Sequence, residues 1–297
     1  MSMDQAILDL ARSSYPIRPR RLAFLCHRPA KLPFSVDEKP AILAARQQNV
    51  RRLDQDWLGT LRPACLNSLA IPPGLRVAVL APHPDDFDAA GVTLRLFQRN
   101  GNRISLAVLT SGAGGVEDGF SSPPSREGKA RIRENEQRAS CRFFGLPPEQ
   151  LVFLRLAEDE AGQLADSEEN IQAIRRYLLE RAPQIVFLPH GNDTNRDHRL
   201  VWSLARRAAY GSGLSVTAFL IRDPKTVVLC ADAYTAFGDE EAGWKARLLR
   251  LHRSQQQRNL NTRNKGFDDR ILGVNRQAAL ELRIPAPYAE AFELECW

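Results

Sequence analysis

No apolar run in this 297-residue chain approaches the roughly 20 residues that a membrane-spanning helix requires. The longest, such as "VAVLA", "LAVL" and "IVFL", fit short buried strands. The N-terminal "MSMDQAILDLARSS" lacks the basic start, apolar block and small-residue cleavage site of a secretory signal, so a cytoplasmic location is expected. Cysteine is scarce: five are scattered without any C-x-x-C spacing, and an odd number cannot all pair, so reduced and mostly buried thiols are expected. No internal repeat or low-complexity tract interrupts the chain. A net charge of +6 comes without a basic stripe carrying base-reading or stacking groups, which argues against nucleic acid as a partner and leaves the surplus to favour an anionic small substrate. With 43% hydrophobic and 26% charged residues, the composition is that of a soluble globular protein of one or two domains. A homo-oligomer stays open.

What is present from about residue 75 onward is an alternation of short β-branched apolar runs with amphipathic segments. It predicts strands over 75–81, 103–110, 150–156, 183–189 and 214–221, with "TVVLC" at 226–230 pairing at an edge. Helices are expected over 88–99, 126–144, 167–181, 196–210 and 239–258. Strand–helix alternation implies an α/β fold: a Rossmann-like, mostly parallel sheet with helices on both faces. Residues 1–70 do not join the pattern; Pro-rich stretches and a helix over about 40–62 read as an N-terminal extension to a domain over 71–297. Ligand sites of open α/β sheets lie beyond the carboxyl ends of strands, which directs the reading to three loops.

The first, "APHPDDFDAAG", puts one imidazole and three carboxylates within six residues of a strand end. His83 and Asp86 can face one ion across a tight turn, a common zinc half-site, and Asp85 between them can take a proton from attacking water. The same two aspartates also suit plain capping of the next helix, and this stretch alone fits either reading. The loop after "PQIVFLP" favours the first: "HGNDTNRDHRLVW" places His198 just inside a helix, beside Asp193 and Asp197, as the natural third ligand. Of five histidines, His83, His190 and His198 all fall in strand-end loops.

These segments resemble the PIG-L/LmbE family of zinc-dependent N-acetylglucosaminyl deacetylases: "APHPDDFDAAG" is similar to the family's A-H-P-D-D-E, and "NDTNRDHR" to its H-P-D-H-R. In order along the chain, "LTSGAGG", "RENEQRASCRFFG", "WKARLLRLHRSQ" and "YAEAFE" resemble further family elements, so the likeness spans roughly 75–295. It implies zinc, with ferrous iron as the alternative, held by His83, Asp86 and His198, and Asp85 as the base in hydrolysis of an N-acetyl or other N-acyl group from an amino-sugar conjugate. Two positions depart from the family. Phe87 stands where Glu is usual, with Asp88 following; Asn195 stands where the family has a His that stabilises the oxyanion or relays a proton. Asn donates a hydrogen bond but does not titrate. Asn195 is therefore expected at the oxyanion, Asp197 as the group that would orient an imidazole there, and His190 or His252 as the remaining histidines that could protonate the leaving amine. His252, expected within a helix, fits ordinary packing equally well. The alternative function is a metal-binding, catalytically weakened protein that binds sugars or regulates. A third reading, in which "TSGAGG" cradles a nucleotide phosphate, lacks the acidic ribose partner at the expected distance.

Overall fold

The computed structural model describes residues 57–58, 62–120 and 124–297. Apart from Trp57, Leu58 and Arg62, the helix expected over 40–62 lies outside the described residues. In chain order the elements are β1 (Ala64–Cys65), β2 (Arg76–Ala81), α1 (Gly91–Arg99), β3 (Arg103–Val108), α2 (Arg126–Phe144), β4 (Leu151–Phe153), α3 (Glu168–Arg181), β5 (Ile185–Pro189), α4 (Arg196–Tyr210), β6 (Thr217–Ile221), β7 (Ala233–Phe237), α5 (Asp239–Leu249), α6 (Arg253–Arg263), α7 (Phe267–Leu282) and β8 (Tyr288–Cys296). The eight strands form one sheet in the order β1-β7-β8-β6-β5-β2-β3-β4. Pairing is parallel except for β8, which runs antiparallel to both β6 and β7.

Strand side chains alternate between the two faces, and so do the cores. Val77 and Val79 of β2 pack with Phe97, Phe187, Phe219 and Phe292 under α1, α5 and part of α2. Ala78 and Leu80 of the same strand join Ile174 of α3 and Val201 and Leu204 of α4 on the opposite face. Helix ends follow local chemistry. Ser125 caps α2 by accepting from the Gly128 N–H at 3.0 Å, and Gly145 ends it with φ +87°, where a Cβ would be strained. Ser167 caps α3 in the same way, accepting from the Asn170 N–H.

Three expectations are corrected. "TVVLC" is not an edge strand: Thr226 bridges to Asp193 and the Val227 N–H bonds the Asn192 carbonyl, so the loop after β5 claims this segment. The margins of the sheet are β1 and β4, with β7 next to β1 and β8 threaded between β7 and β6. The helix expected over 239–258 is two helices, because the chain tightens after Leu248 and Leu249 and restarts with His252 as the N-cap of α6. The sheet also begins before residue 71: Ala64 and Cys65 pair with β7, and Leu58 and Leu66 are buried in the main core, with Trp57 edge-on to Phe97 at 6.1 Å.

Strand order reverses at β2, with β3 on one side and β5 on the other. The loops after β2 and β5 therefore open a crevice at a topological switch point, and the loop after β6 lies next to it.

Candidate metal centre

β2 ends at Ala81, and the chain turns sharply to deliver His83, Asp85 and Asp86 before α1 begins. Asp85 sits at φ +121°, a conformation an L-residue holds only when its surroundings over-determine it. Those surroundings come from α2: the Asp85 N–H donates to Gln137 at 2.9 Å, and its carboxylate receives both Arg133 Nη atoms at 3.1 and 3.4 Å. Asp86 folds back on His83, accepting from its backbone N–H at 2.8 Å and lying 3.2 Å from its Nδ1.

Across the switch point, Asn195 caps α4 by accepting from the Asp197 N–H at 3.1 Å. That cap places Asp197 and His198 in the first helical turn. His198 Nε2 comes within 3.6 Å of Asp86 Oδ1, and the two imidazole centroids are 5.7 Å apart. One ligand atom from each of His83, Asp86 and His198 lies within 4.8 Å of the others. Each imidazole has its far nitrogen on a carboxylate: His83 Nε2 on Asp197 at 3.1 Å, and His198 Nδ1 on Asp193 at 3.2 Å. This is the arrangement in which a metal-ligating His is oriented by an outer carboxylate, and two nitrogens with one carboxylate oxygen suit zinc or ferrous iron.

The electrostatics agree. Burial alone would depress the His83 imidazole, but hydrogen bonds to Asp197 and Asp86 and the charges of Asp86 and Asp85 outweigh it and lift its pKa from 6.5 to about 9. His198 is raised too: burial opposes protonation, and the carboxylates of Asp86, Asp193 and Asp223 override it. Burial works against ionisation of Asp86, yet the two imidazoles hold it well below the usual carboxylate range. The site is thus a negative pocket that stabilises positive charge.

Of the residues singled out from the sequence, His83, Asp85, Asp86, Asn195, Asp197 and His198 share this crevice. His252 does not. It is fully buried, hydrogen-bonded through Nε2 to the equally buried Asp88, whose carboxylate also accepts from Ser140 Oγ at 2.7 Å. No surface is left from which His252 could meet a substrate. His190 is likewise taken up, 3.3 Å from Glu293.

Two residues of the centre escaped the sequence reading. Arg133 lay inside a quoted helical motif, but nothing local tells which loop an arginine reaches. Asp223 follows β6 and stands 3.8 Å from His198 Nδ1; burial lifts its pKa to about 6 against the pull of that imidazole. Its position just past a strand end was a signal that could have found it.

The family model PIG-L, described as GlcNAc-PI de-N-acetylase, matches residues 78–209, from β2 through α4. A search of curated proteins finds no match. Among solved structures, the N,N'-diacetylchitobiose deacetylase from Pyrococcus horikoshii superposes with a TM-score of 0.62 at 17% identity, covering 89% of this chain and 94% of its own. A deacetylase of the teicoplanin biosynthesis pathway follows at 0.58 and 16% identity, covering 75% of this chain and 98% of its own. GalB, the 4-carboxy-2-hydroxymuconate hydratase from Pseudomonas putida KT2440, reaches 0.56 at 17% identity over 75% and 96%. At such identities the likeness is one of fold.

Proposed function

We infer that this chain, whose residues 78–209 form a domain of the PIG-L family, is a metal-dependent N-deacetylase that hydrolyses an N-acetyl group of an amino-sugar conjugate to acetate and free amine. The observation that carries the reading is the convergence of His83, Asp86 and His198 beside the strained Asp85, at the switch point of the matched domain. His83, Asp86 and His198 would hold the cation. When bound, a zinc or ferrous ion supplies Lewis acidity toward an amide carbonyl and makes water a better nucleophile.

The remaining work falls to the chain. Asp85, with its carboxylate fixed by Arg133 and its backbone by Gln137, accepts the proton that the attacking water releases. The same proton then passes from Asp85 to the nitrogen of the breaking C–N bond, so the amine departs neutral. Asn195 spends its carbonyl oxygen on the helix cap, and no described residue accepts from its amide nitrogen. Its N–H groups are left to donate to the oxyanion. Asp197 and Asp193 hold the two imidazoles in register. His252 contributes through Asp88, which anchors the 86–90 turn to α2 and α6. With its cysteines few and unmatched in spacing, the protein suits a reducing, cytoplasmic setting; among the described residues no helix is long and apolar enough to cross a membrane.

The test is acetate release from a panel of N-acetylglucosamine conjugates by the zinc- and iron-loaded protein. Asp85→Asn should keep the metal and lose most of the turnover, since the amide matches the carboxylate in shape without its basicity. Sugar binding without acetate release by the wild type would replace this reading with that of a binding protein.

A further inference from the structure

The loop between β4 and α3 makes a tight hairpin, with Glu158 bridged to Leu164. Asp159 organises its turn: Oδ1 accepts from the Ala161 and Gln163 N–H groups at 3.1 and 3.0 Å, and Gly162 closes the turn at φ +71°. The Leu164 side chain is fully buried in the core shared with α3 and α4. Its backbone meets the metal centre: the Leu164 N–H donates at 3.3 Å to Oδ1 of Asp197, whose Oδ2 stands 3.1 Å from His83 Nε2. One hydrogen bond thus separates the hairpin from the carboxylate that orients a metal ligand.

Arg196, the first residue of α4, grips the same hairpin. Its Nη1 donates to the Leu164 carbonyl at 3.0 Å and to Gln163 Oε1 at 3.1 Å, and its Nη2 stands 3.0 Å from Oδ2 of Asp159. The N–H and the carbonyl of Leu164 are therefore taken by consecutive residues of α4, Asp197 and Arg196. Proline is a favoured opening residue of a helix, and it stands at this place in the H-P-D-H-R motif that "NDTNRDHR" resembles. A guanidinium there gives up that preset geometry and sets a positive charge at the positive end of the helix dipole. With the Arg196 side chain 44% and that of Asp159 34% exposed, their ion pair adds little to the stability of the fold. What the three contacts contribute is the placement of the hairpin relative to Asp197.

We propose that Arg196 is a positioning residue of the metal centre: it holds the 158–164 hairpin against the first turn of α4, which keeps the Leu164 N–H on Asp197 and Asp197 aligned with His83. The proposal rests on the reading of His83, Asp86 and His198 as metal ligands, and it is read by metal affinity rather than by turnover.

Full-length, metal-free wild type and variants are titrated with zinc against a competing chromophoric chelator, and their melting is followed without metal. Asp197→Asn should lose about 10–100-fold in zinc affinity, as removal of the outer partner of a metal-bound His does. Arg196→Gln and Arg196→Pro should each lose about 10-fold, the low end of that range, the proline variant retaining a favoured helix start. Arg196→Lys, with a point charge in place of the planar fork, should recover part of the loss. The Tm of the metal-free Arg196 variants should stay at the wild-type value. Adding Arg196→Gln to Asp197→Asn should cost no further affinity, because both act along one path. Affinity unchanged in Arg196→Gln and Arg196→Pro, or a further loss in the double variant, overturns the positioning role. A Tm that falls in step with affinity makes Arg196 a structural residue and overturns that role as well. A wild type that binds no zinc overturns the metal centre itself, and the proposal with it.

Discussion

Asp86 is the pivot of the centre at the scale of single residues, since both imidazoles approach it and both are raised by it. His83→Ala or His198→Ala should each abolish stoichiometric metal, measured by elemental analysis of the purified protein; full occupancy in the double substitution would remove these residues from the ligand set. The raised His83 pKa also fixes a sign. A metal must displace the proton that this imidazole carries at neutral pH in the metal-free protein, so uptake releases protons. Apparent affinity should then climb about tenfold per unit of pH until near the folded pKa of about 9. In the metal-free protein the same shift contributes stability that is complete below pH 6.5 and lost as pH rises through about 9. Zinc titrations in buffers of different ionisation heat count the released protons; an affinity flat between pH 6.5 and 9 would contradict the assignment.

Elements meet through buried polar devices, and these account for the spaced motifs of the sequence. In "RENEQRASC", Arg133 reaches Asp85, Glu136 accepts from both the N–H and the hydroxyl of Ser254 at 2.7 Å, thereby capping α6, and Ser140 reaches Asp88. Lys245 of α5, fully buried, spends its ammonium on the Ala89 carbonyl at 2.6 Å, Asn275 at 2.9 Å and Glu290 at 2.6 Å. Glu290 of β8 in turn accepts from the Val92 and Thr93 N–H groups, capping α1 and steadying the turn that carries Asp86. Glu290→Gln leaves Lys245 as a buried charge without its counter-ion and should cost about 3–5 kcal/mol in a denaturant titration. A loss below about 1 kcal/mol would mean the pair contributes little. Asn195 works at this scale as well as at the site. Asn195→Ala should lose about 1 kcal/mol of stability as a cap and, with metal content intact, about 10²-fold in turnover as an oxyanion donor. Asn195→His tests the family residue directly: Asp197 already bonds His83, so the new imidazole must share that partner. A wild type that is inactive until Asn195→His restores acetate release would make this chain a catalytically silent protein and overturn the deacetylase reading.

For the molecule as a whole, the described residues just before 71 belong to the core. Leu58 and Leu66 are almost completely buried against the aromatic cluster under α1, and β1 completes the edge beyond β7. A chain starting at residue 71 should therefore melt well below the full-length protein, and Leu66→Ala alone should cost about 2–5 kcal/mol. A truncated protein with an unchanged Tm would show that the 57–70 segment merely rests on the domain. Among the described residues the two larger cores lie on opposite faces of the sheet, so the crevice at the end of β2 and β5 is braced from both faces.

Local signals in the sequence specify the parallel strands, the bounds of α2 and α4 and the class of fold, through β-branched runs, a 3.6-residue stripe and a capping Ser or Asn, and they place His83, Asp86 and His198 just past strand ends, where the structure brings them together. What the sequence left undecided depended on partners distant in the chain. "TVVLC" has strand propensity but is captured by the loop after β5, whereas "YAEAFELEC" becomes β8 because β6 and β7 both offer it an edge. His252 looked like a candidate acid and is a buried partner of Asp88, 164 positions away in sequence. The pairing of Arg133 with Asp85 and the approach of Asp223 to His198 likewise arise only when α2 and β6 pack beside the loops after β2 and β5. Local propensity selects elements; which buried charges meet is decided by packing, since a charge withdrawn from water persists only where the tertiary structure brings it a partner.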